Sequence, residues 1–302
     1  MVAANIRLPN IRRMFVPDPR FTIADADLSG ADAQVVAWEA GDEDLKTAFK
    51  LGLKIHVHNA RTMWPEYHKD MDNDEVKDSK YYKPVKVGCH ACNYGASVNA
   101  LISNCGWDRH QAMDFRGRWF EAHPAIHAWH ERTDRHLKGF ECWNCNDRDI
   151  TFGKPCRLCG ASLGRTVKNR FNFRRMFFDR MDGNILPQAL AWTPQSTVAF
   201  STEIGWTNIA YGHKYSLQMG HAKRVTYDWS KYLITPEAAS KWHNVIRFLI
   251  QVHDSIVFEL PHAYETDLGE IVEDMRVIVP YDEPLIIPMG FKFSRQSWGD
   301  CG

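Results

Sequence analysis

Two carboxylates stand where strands end. Asp254 falls in Gln251-Val252-His253-Asp254-Ser255-Ile256-Val257-Phe258-Glu259-Leu260. A short turn between runs rich in Val, Ile and Phe holds an acidic group at the tip of a β-hairpin. Asp27 lies far upstream in Ala26-Asp27-Leu28-Ser29-Gly30, after the β-prone stretch Phe21 to Ala24. A single Asp in a turn is ordinarily structural, because its side chain bonds its own backbone. A pair of strand-end carboxylates from distant parts of a chain can instead hold two divalent ions, which drive in-line displacement at phosphorus. Asp25 competes with Asp27, since both lie on one face of a strand.

Between them, Lys86, His90 and Tyr94 recur four apart in Lys86-Val87-Gly88-Cys89-His90-Ala91-Cys92-Asn93-Tyr94-Gly95, so a helix places them on one face. A cation, a flat ring and a phenol so arranged can meet a triphosphate, a base and a templating position. Lys86 on its own would be a solvated helix lysine.

In this order, the three segments resemble motifs A, B and C of family A DNA polymerases, the bacterial DNA polymerase I type and its phage relatives. Ile55-His56 resembles the fingers histidine that reaches the nucleotide phosphates. Gly117-Arg118-Trp119-Phe120 through His123-Pro124 resembles the long fingers helix pair, and Thr193-Pro194-Gln195 the palm segment whose Gln reads the duplex minor groove. The resemblance covers roughly residues 8 to 302, with one insertion. It implies an α+β fold: an antiparallel palm sheet with helices, plus helical fingers. It selects Asp27 over Asp25, because only Asp27 is followed by the family's Ser29-Gly30.

The implied chemistry is nucleotidyl transfer from a dNTP to a primer 3′-hydroxyl on primer-template DNA. Asp27, Asp254 and the Leu28 carbonyl would bind two Mg²⁺ ions. Lys86 and His56 would hold the triphosphate, and Tyr94 and Gly95 would sit beneath the template or nascent base. His253 and Gln195 would contact the primer end and its minor groove. Asp32 stands where these polymerases carry a Glu that rejects a 2′-hydroxyl, and His90 where an aromatic packs on the incoming sugar. Tyr82 replaces a phosphate-gripping Arg, with Lys83 or Lys80 as substitutes, and Ser255 replaces an acidic residue after Asp254.

The family precedes motif A with a thumb, a primer-gripping segment and usually an exonuclease domain, whereas Asp27 lies near the start of this chain. The expectation is a split polymerase of phage type, its thumb and 3′–5′ exonuclease on a second polypeptide, working in the cytoplasm of a bacterial host. The alternatives are a non-catalytic zinc-bearing subunit that binds nucleic acid with a polymerase-like fold, and an RNA-synthesising or primase-like enzyme.

Four cysteines form Cys142-x2-Cys145 and Cys156-x2-Cys159. Two such knuckles complete a tetrahedral Zn²⁺ site, and four thiolates leave no open position, so the metal is structural. The family core does not require this element, which reads as an insertion near 140–162. Cys89 and Cys92 lie inside the Lys86 helix with no second pair nearby and read as buried thiols.

Stepwise along the chain, residues 1–40 supply the first palm strands, 41–184 the fingers and 185–302 the rest of the palm. Helices are expected over Glu43 to Leu51, Tyr82 to Cys105 and Asp108 to Leu137 with a break at Pro124. A further helix-like stretch runs from Pro236 to Phe248, and strands fall near Arg276 to Val279 and Leu285 to Ile287.

The 302 residues carry 37 basic and 37 acidic side chains, so net charge does not advertise nucleic acid. Gly164 to Arg180, GRTVKNRFNFRRMFFDR, interleaves Arg165 and five further cations with Phe. It reads either as a solvated basic face over a Phe core or as a nucleic-acid contact, where Arg and Lys take phosphates and rings stack on bases. There is no long apolar run and no secretory h-region, so no membrane partner is expected.

Overall fold

Strand β1 (Phe21–Leu28) shows strict alternation in what its side chains meet. Ala24 and Ala26 enter a core with Ile256, Phe258 and Leu260, while Ile23, Asp25 and Asp27 fall on the opposite face, as the two-residue period of a strand requires. The computed structural model describes residues 10–151, 153–180, 183–211, 241–242 and 244–301. It divides into two compact units, Met1–Ala31 with Val198–Gly302, and Asp32–Thr197.

From β1 the chain enters helices α1 (Ala31–Ala40), α2 (Glu43–Lys50), α3 (Ile55–Met63), α4 (Pro65–His68), α5 (Asn73–Asp78), α6 (Tyr82–Asn93), α7 (Val98–Cys105), α8 (Arg109–Ala122) and α9 (Pro124–Lys138). A cysteine-bearing segment and the ladder β2 (Thr166–Lys168) and β3 (Arg174–Met176) follow, then the long helix α10 (Ile185–Tyr211). The chain closes with β4 (Arg247–Val252), β5 (Ser255–Pro261), α11 (Leu268–Asp274), β6 (Ile278–Val279), β7 (Leu285–Ile286) and β8 (Met289–Ser294). No helix among the described residues is long and apolar enough to cross a membrane.

In the first unit β4, β5, β1 and β8 form one antiparallel sheet in that order. Its apolar face is covered by Leu268, Ile271 and Val272 of α11 and by Ile209 of α10. The other face has a smaller apolar patch of Ile23, Val257 and Trp298, beyond which the acidic residues of β1 lie. Strand β8 was not among the expected strands, because Pro288, Gly290 and Lys292 mask its pattern. Part of the helix expected over Pro236 to Phe248 lies outside the described residues, and its end is corrected: Arg247 and Phe248 begin β4.

The second unit is mostly helical. Its core centres on edge-to-face contacts of Trp64 with Trp107 and Phe115. Helix α6 approaches this cluster through Gly88, where a Cβ would come within 2.6 Å of Trp107 and 2.8 Å of Phe115. Asp42 caps α2 by accepting from the Leu45 amide at 3.0 Å. It also accepts from His123 Nδ1 at 3.1 Å, tying the α8–α9 junction to the start of α2.

The helix expected over Tyr82 to Cys105 is two helices. Gly95 takes a positive φ of 73°, and Ser97 then caps α7 through the Ala100 amide. One unit limit falls at the first residue of α1 and the other within α10. Cys89 and Cys92 are buried and not in a disulfide, and burial pushes the Cys92 thiol up to about 12.

Candidate active site

In the first unit, β4 and β5 are joined by the two-residue turn His253–Asp254. Its geometry needs a left-handed residue, and His253 supplies it with φ 55°. The Leu28 amide donates to the Asp254 carbonyl at 3.1 Å, fixing the turn to the end of β1. Register does the rest: Asp27 lies opposite Ser255 on one side and Gly290 on the other. Gly290 presents no side chain, and a Cβ there would meet nothing within 4 Å, so the space before Asp27 is open.

The result is a cavity of about 480 Å³ lined by Asp25, Asp27, Asp254, Ser29, His253 and Lys292, among others. Burial raises the Asp27 carboxyl to about 6. The negative charges of Asp254 and Asp25 and a hydrogen bond with Asp254 raise it too, while Lys292 opposes them. Asp25 accepts from the Trp298 indole at 2.7 Å through Oδ2, and its Oδ1 is buried without a partner. These carboxylates repel one another, and their oxygens are the hard donors that Mg²⁺ prefers. The residues therefore fit a divalent-ion site.

Sequence reasoning set Asp25 aside and did not reach Lys292 or Arg12, which also lines this cavity. The alternation of β1 marked Asp25. Nothing local marked Lys292, which meets Asp25 only through the β1–β8 register. Ser255 donates to the Val252 carbonyl at 3.2 Å and so serves the hairpin.

The second unit carries the other expected residues. Lys86 and His90 are exposed on α6, and Lys83 shares their face one turn earlier. His56, on α3, is held down to about 4 by burial and then by the charges of Lys86 and His90, so those three side chains are neighbours. The His56 Nδ1 is buried without a partner. At the end of α6, His90 and Tyr94 meet edge-to-face with centroids 4.7 Å apart.

Tyr94 donates to Asp32 Oδ2 at 2.9 Å, and burial, followed by the Asp32 charge, raises its phenol further above the usual range. A Cβ at Gly95 would stand 3.0 Å from Leu190. Lys80 lies over the Tyr81 ring at 5.0 Å. Gln195 is exposed on α10. Arg165 donates to the carbonyls of Asp179 at 2.7 Å and Phe177 at 3.5 Å, bracing the β2–β3 ladder.

The four cysteines converge. Their sulfurs lie within 4.8 Å of one another, with Cys142–Cys159 and Cys145–Cys156 each at 3.6 Å. Zn–S bonds of about 2.3 Å set tetrahedral edges near 3.8 Å, so the donors match that ion. Both knuckles share one backbone pattern. Cys142 donates its amide to Asp147 and accepts from Asn146; Cys156 does the same with Ala161 and Gly160. Asn146 and Gly160 take the positive φ each turn needs. Trp143 bonds the Ser162 carbonyl at 2.7 Å and Arg148 reaches buried Glu141 at 3.0 Å, securing the segment.

The family model for DNA polymerase family A matches residues 4–144. Those residues are similar to DNA polymerase family A. The segment is 33% identical over 123 residues to the thermostable DNA polymerase I of Thermus filiformis, which is 41% of this chain and 14% of that protein. It is likewise 33% identical over 133 residues to DNA polymerase I of Lactococcus lactis subsp. lactis, 43% of this chain and 14% of the relative. The aligned part thus spans about a seventh of these relatives' length.

The fold extends further. The POL domain of Pol1 from M. smegmatis, solved in complex with DNA primer-template and dNTP, superposes with a TM-score of 0.67. It covers 98% of this chain and 44% of its own, at 16% identity. The family match includes Asp27, Asp32, His56, Lys86, His90 and Tyr94; the fold likeness takes in the sheet that carries Asp254.

Proposed function

We propose that this chain performs template-directed DNA synthesis, adding a nucleotide from a dNTP to a primer 3′-hydroxyl. The observation that carries the reading is the meeting of Asp27 and Asp254 at the open end of the sheet, with a carboxyl raised to about 6. Asp27, Asp254 and the Leu28 carbonyl would hold Mg²⁺. When bound, two such ions lower the pKa of the primer hydroxyl and offset charge on the transferring phosphoryl group. Lys86 binds triphosphate as a cation. His56, neutral at pH 7, has an unpartnered ring nitrogen to offer it. Asp32, held by Tyr94, crowds a 2′-hydroxyl, and His90 packs on the sugar. His253 and Gln195 face the primer end and the minor groove.

Zn²⁺ in the Cys142, Cys145, Cys156 and Cys159 site supports the fold and takes no part in transfer. A second polypeptide bearing a thumb and exonuclease, a phage origin and a cytoplasmic setting complete the proposal. The exposed Phe248 and Leu249 on the edge strand β4 support a further protein contact.

The non-catalytic alternative draws on Ser255 and Tyr82, which replace an acid and a cation. Primer extension decides between them. Asp27→Ala and Asp254→Ala each abolish Mg²⁺-dependent extension in a preparation whose wild type extends, while primer-template affinity stays within a few-fold. Extension by either variant at near-wild-type rate refutes the proposed catalytic role.

A further inference from the structure

The stretch Gly164 to Arg180 holds six cations and one acid, Asp179, and the fold separates them by task. Arg170 pairs with Glu39 at 2.8 Å. Arg165 braces the ladder, and Lys168 donates to the Asn144 carbonyl at 2.7 Å beside the first cysteine knuckle. Arg174 and Arg175 on β3 have no acidic partner among the described residues, and both are exposed. Register sets Arg174 directly across from Lys168, and like charges in that relation destabilise a ladder. A strand assembled this way gains when an anion arrives.

The apolar side chains of the same segment point to the rest of the ligand. Alternation along β3 places Arg175 on one side and Arg174 and Met176 on the other. Phe177 is buried with the Arg175 guanidinium 4.8 Å over its ring. On the Arg174 side Met176 is 51% exposed, and Phe178, two residues past the end of β3, is 84% exposed. An aromatic ring so open to water contributes nothing to the core. Beside an uncompensated guanidinium, it has the composition that takes a phosphate and stacks a base. Duplex DNA keeps its base faces inside its own stack, so the ring requires unpaired nucleotides.

The geometry points to Arg174 and Met176 of β3, with Phe178 just beyond the strand, as a binding surface for single-stranded nucleic acid. If the chain is a polymerase, that strand is the unpaired template overhang. Only this identification rests on the proposed reaction; single-strand binding does not.

The test uses the whole chain, labelled oligo(dT) and a blunt duplex of equal length, read by fluorescence anisotropy. Arg174→Ala is expected to weaken oligo(dT) binding several-fold. Loss of one phosphate contact lowers the slope of log K against log salt by about 0.7. Phe178→Ala is expected to weaken it several-fold with the slope unchanged, while duplex binding holds in both variants. Unfolding temperature and bound metal serve as folding checks, because Phe178 touches no core.

Unchanged oligo(dT) binding in all variants overturns the proposal. So does an equal loss for duplex, which marks a general phosphate contact, or equal competition by polyglutamate, which marks an acidic protein partner. Asp254→Ala separates the two readings: it loses extension if the reaction is right, and it binds oligo(dT) like wild type if this surface is right.

Discussion

Asp27 carries information about pH that its neighbours make specific. Its carboxyl is raised from 3.8 to about 6 by burial and by Asp254 and Asp25. In the metal-free chain the folded form therefore holds a proton that the unfolded form has lost. Stability falls as pH climbs from about 3.8 through about 6 and stays low above. Asp27→Asn removes this slope. In EDTA at pH 8 it is expected to unfold a few degrees above wild type, and Mg²⁺ should raise the wild type but not the variant. A variant that melts lower, or that still responds to Mg²⁺ like wild type, contradicts the carboxylate cluster as a cation site.

Asp32 is the second residue with a sharp expectation. Its hydrogen bond from Tyr94 at 2.9 Å holds the carboxylate in place. Asp32→Ala is expected to raise rNTP relative to dNTP incorporation by about an order of magnitude, because crowding and hydrogen bonding at the sugar set the discrimination. Tyr94→Phe, which removes that hydrogen bond, should shift the ratio the same way by less. Competition assays with mixed nucleotides measure both, and an unchanged ratio for Asp32→Ala removes that residue from sugar selection.

At the scale of elements, Gly88 shows what close helix approach demands. Its missing side chain lets α6 reach Trp107 and Phe115, neither of which can move without disturbing the Trp64 cluster. Gly88→Ala therefore costs about 1–3 kcal/mol by overpacking, despite alanine's better helix propensity. Urea unfolding measures it, and a stabilised variant would mean that α6 stands farther from α8.

Legibility divides along the same line of local against distant causes. The β4–β5 turn was legible because its Val, Ile and Phe runs and its Asp are contiguous. The knuckles were legible because two cysteines at fixed spacing suffice. Strand β8 was not, since its place beside β1 is set by pairing across the chain; with it Lys292 was missed. Helix α10 was hidden by Pro194, which the helix contains. The break at Gly95 needed a positive φ, which glycine permits but composition alone does not demand.

For the molecule as a whole, each of the two units carries a candidate metal site. The sheet unit has its apolar core around Ile256, Phe258 and Ile271 and its carboxylates on the opposite face. The helical unit has its aromatic core and, downstream of α9, the four cysteines. A ligand that binds only folded protein stabilises the cooperative unit that holds it. Calorimetry should then resolve two transitions. Removing zinc with a chelator, or Cys142→Ser, is expected to lower one transition, and Mg²⁺ to raise the other. Helix α10 has residues in both units, so each transition should shift slightly when the other metal is changed, by much less than its own. Asp254→Asn combined with Cys142→Ser should give nearly the sum of the single effects, as independent sites do. One transition that responds equally to both metals would show instead that this through-running helix fuses the cores into a single folding unit. Metal analysis of the chelator-free protein finding no zinc would remove the second constellation from the account altogether.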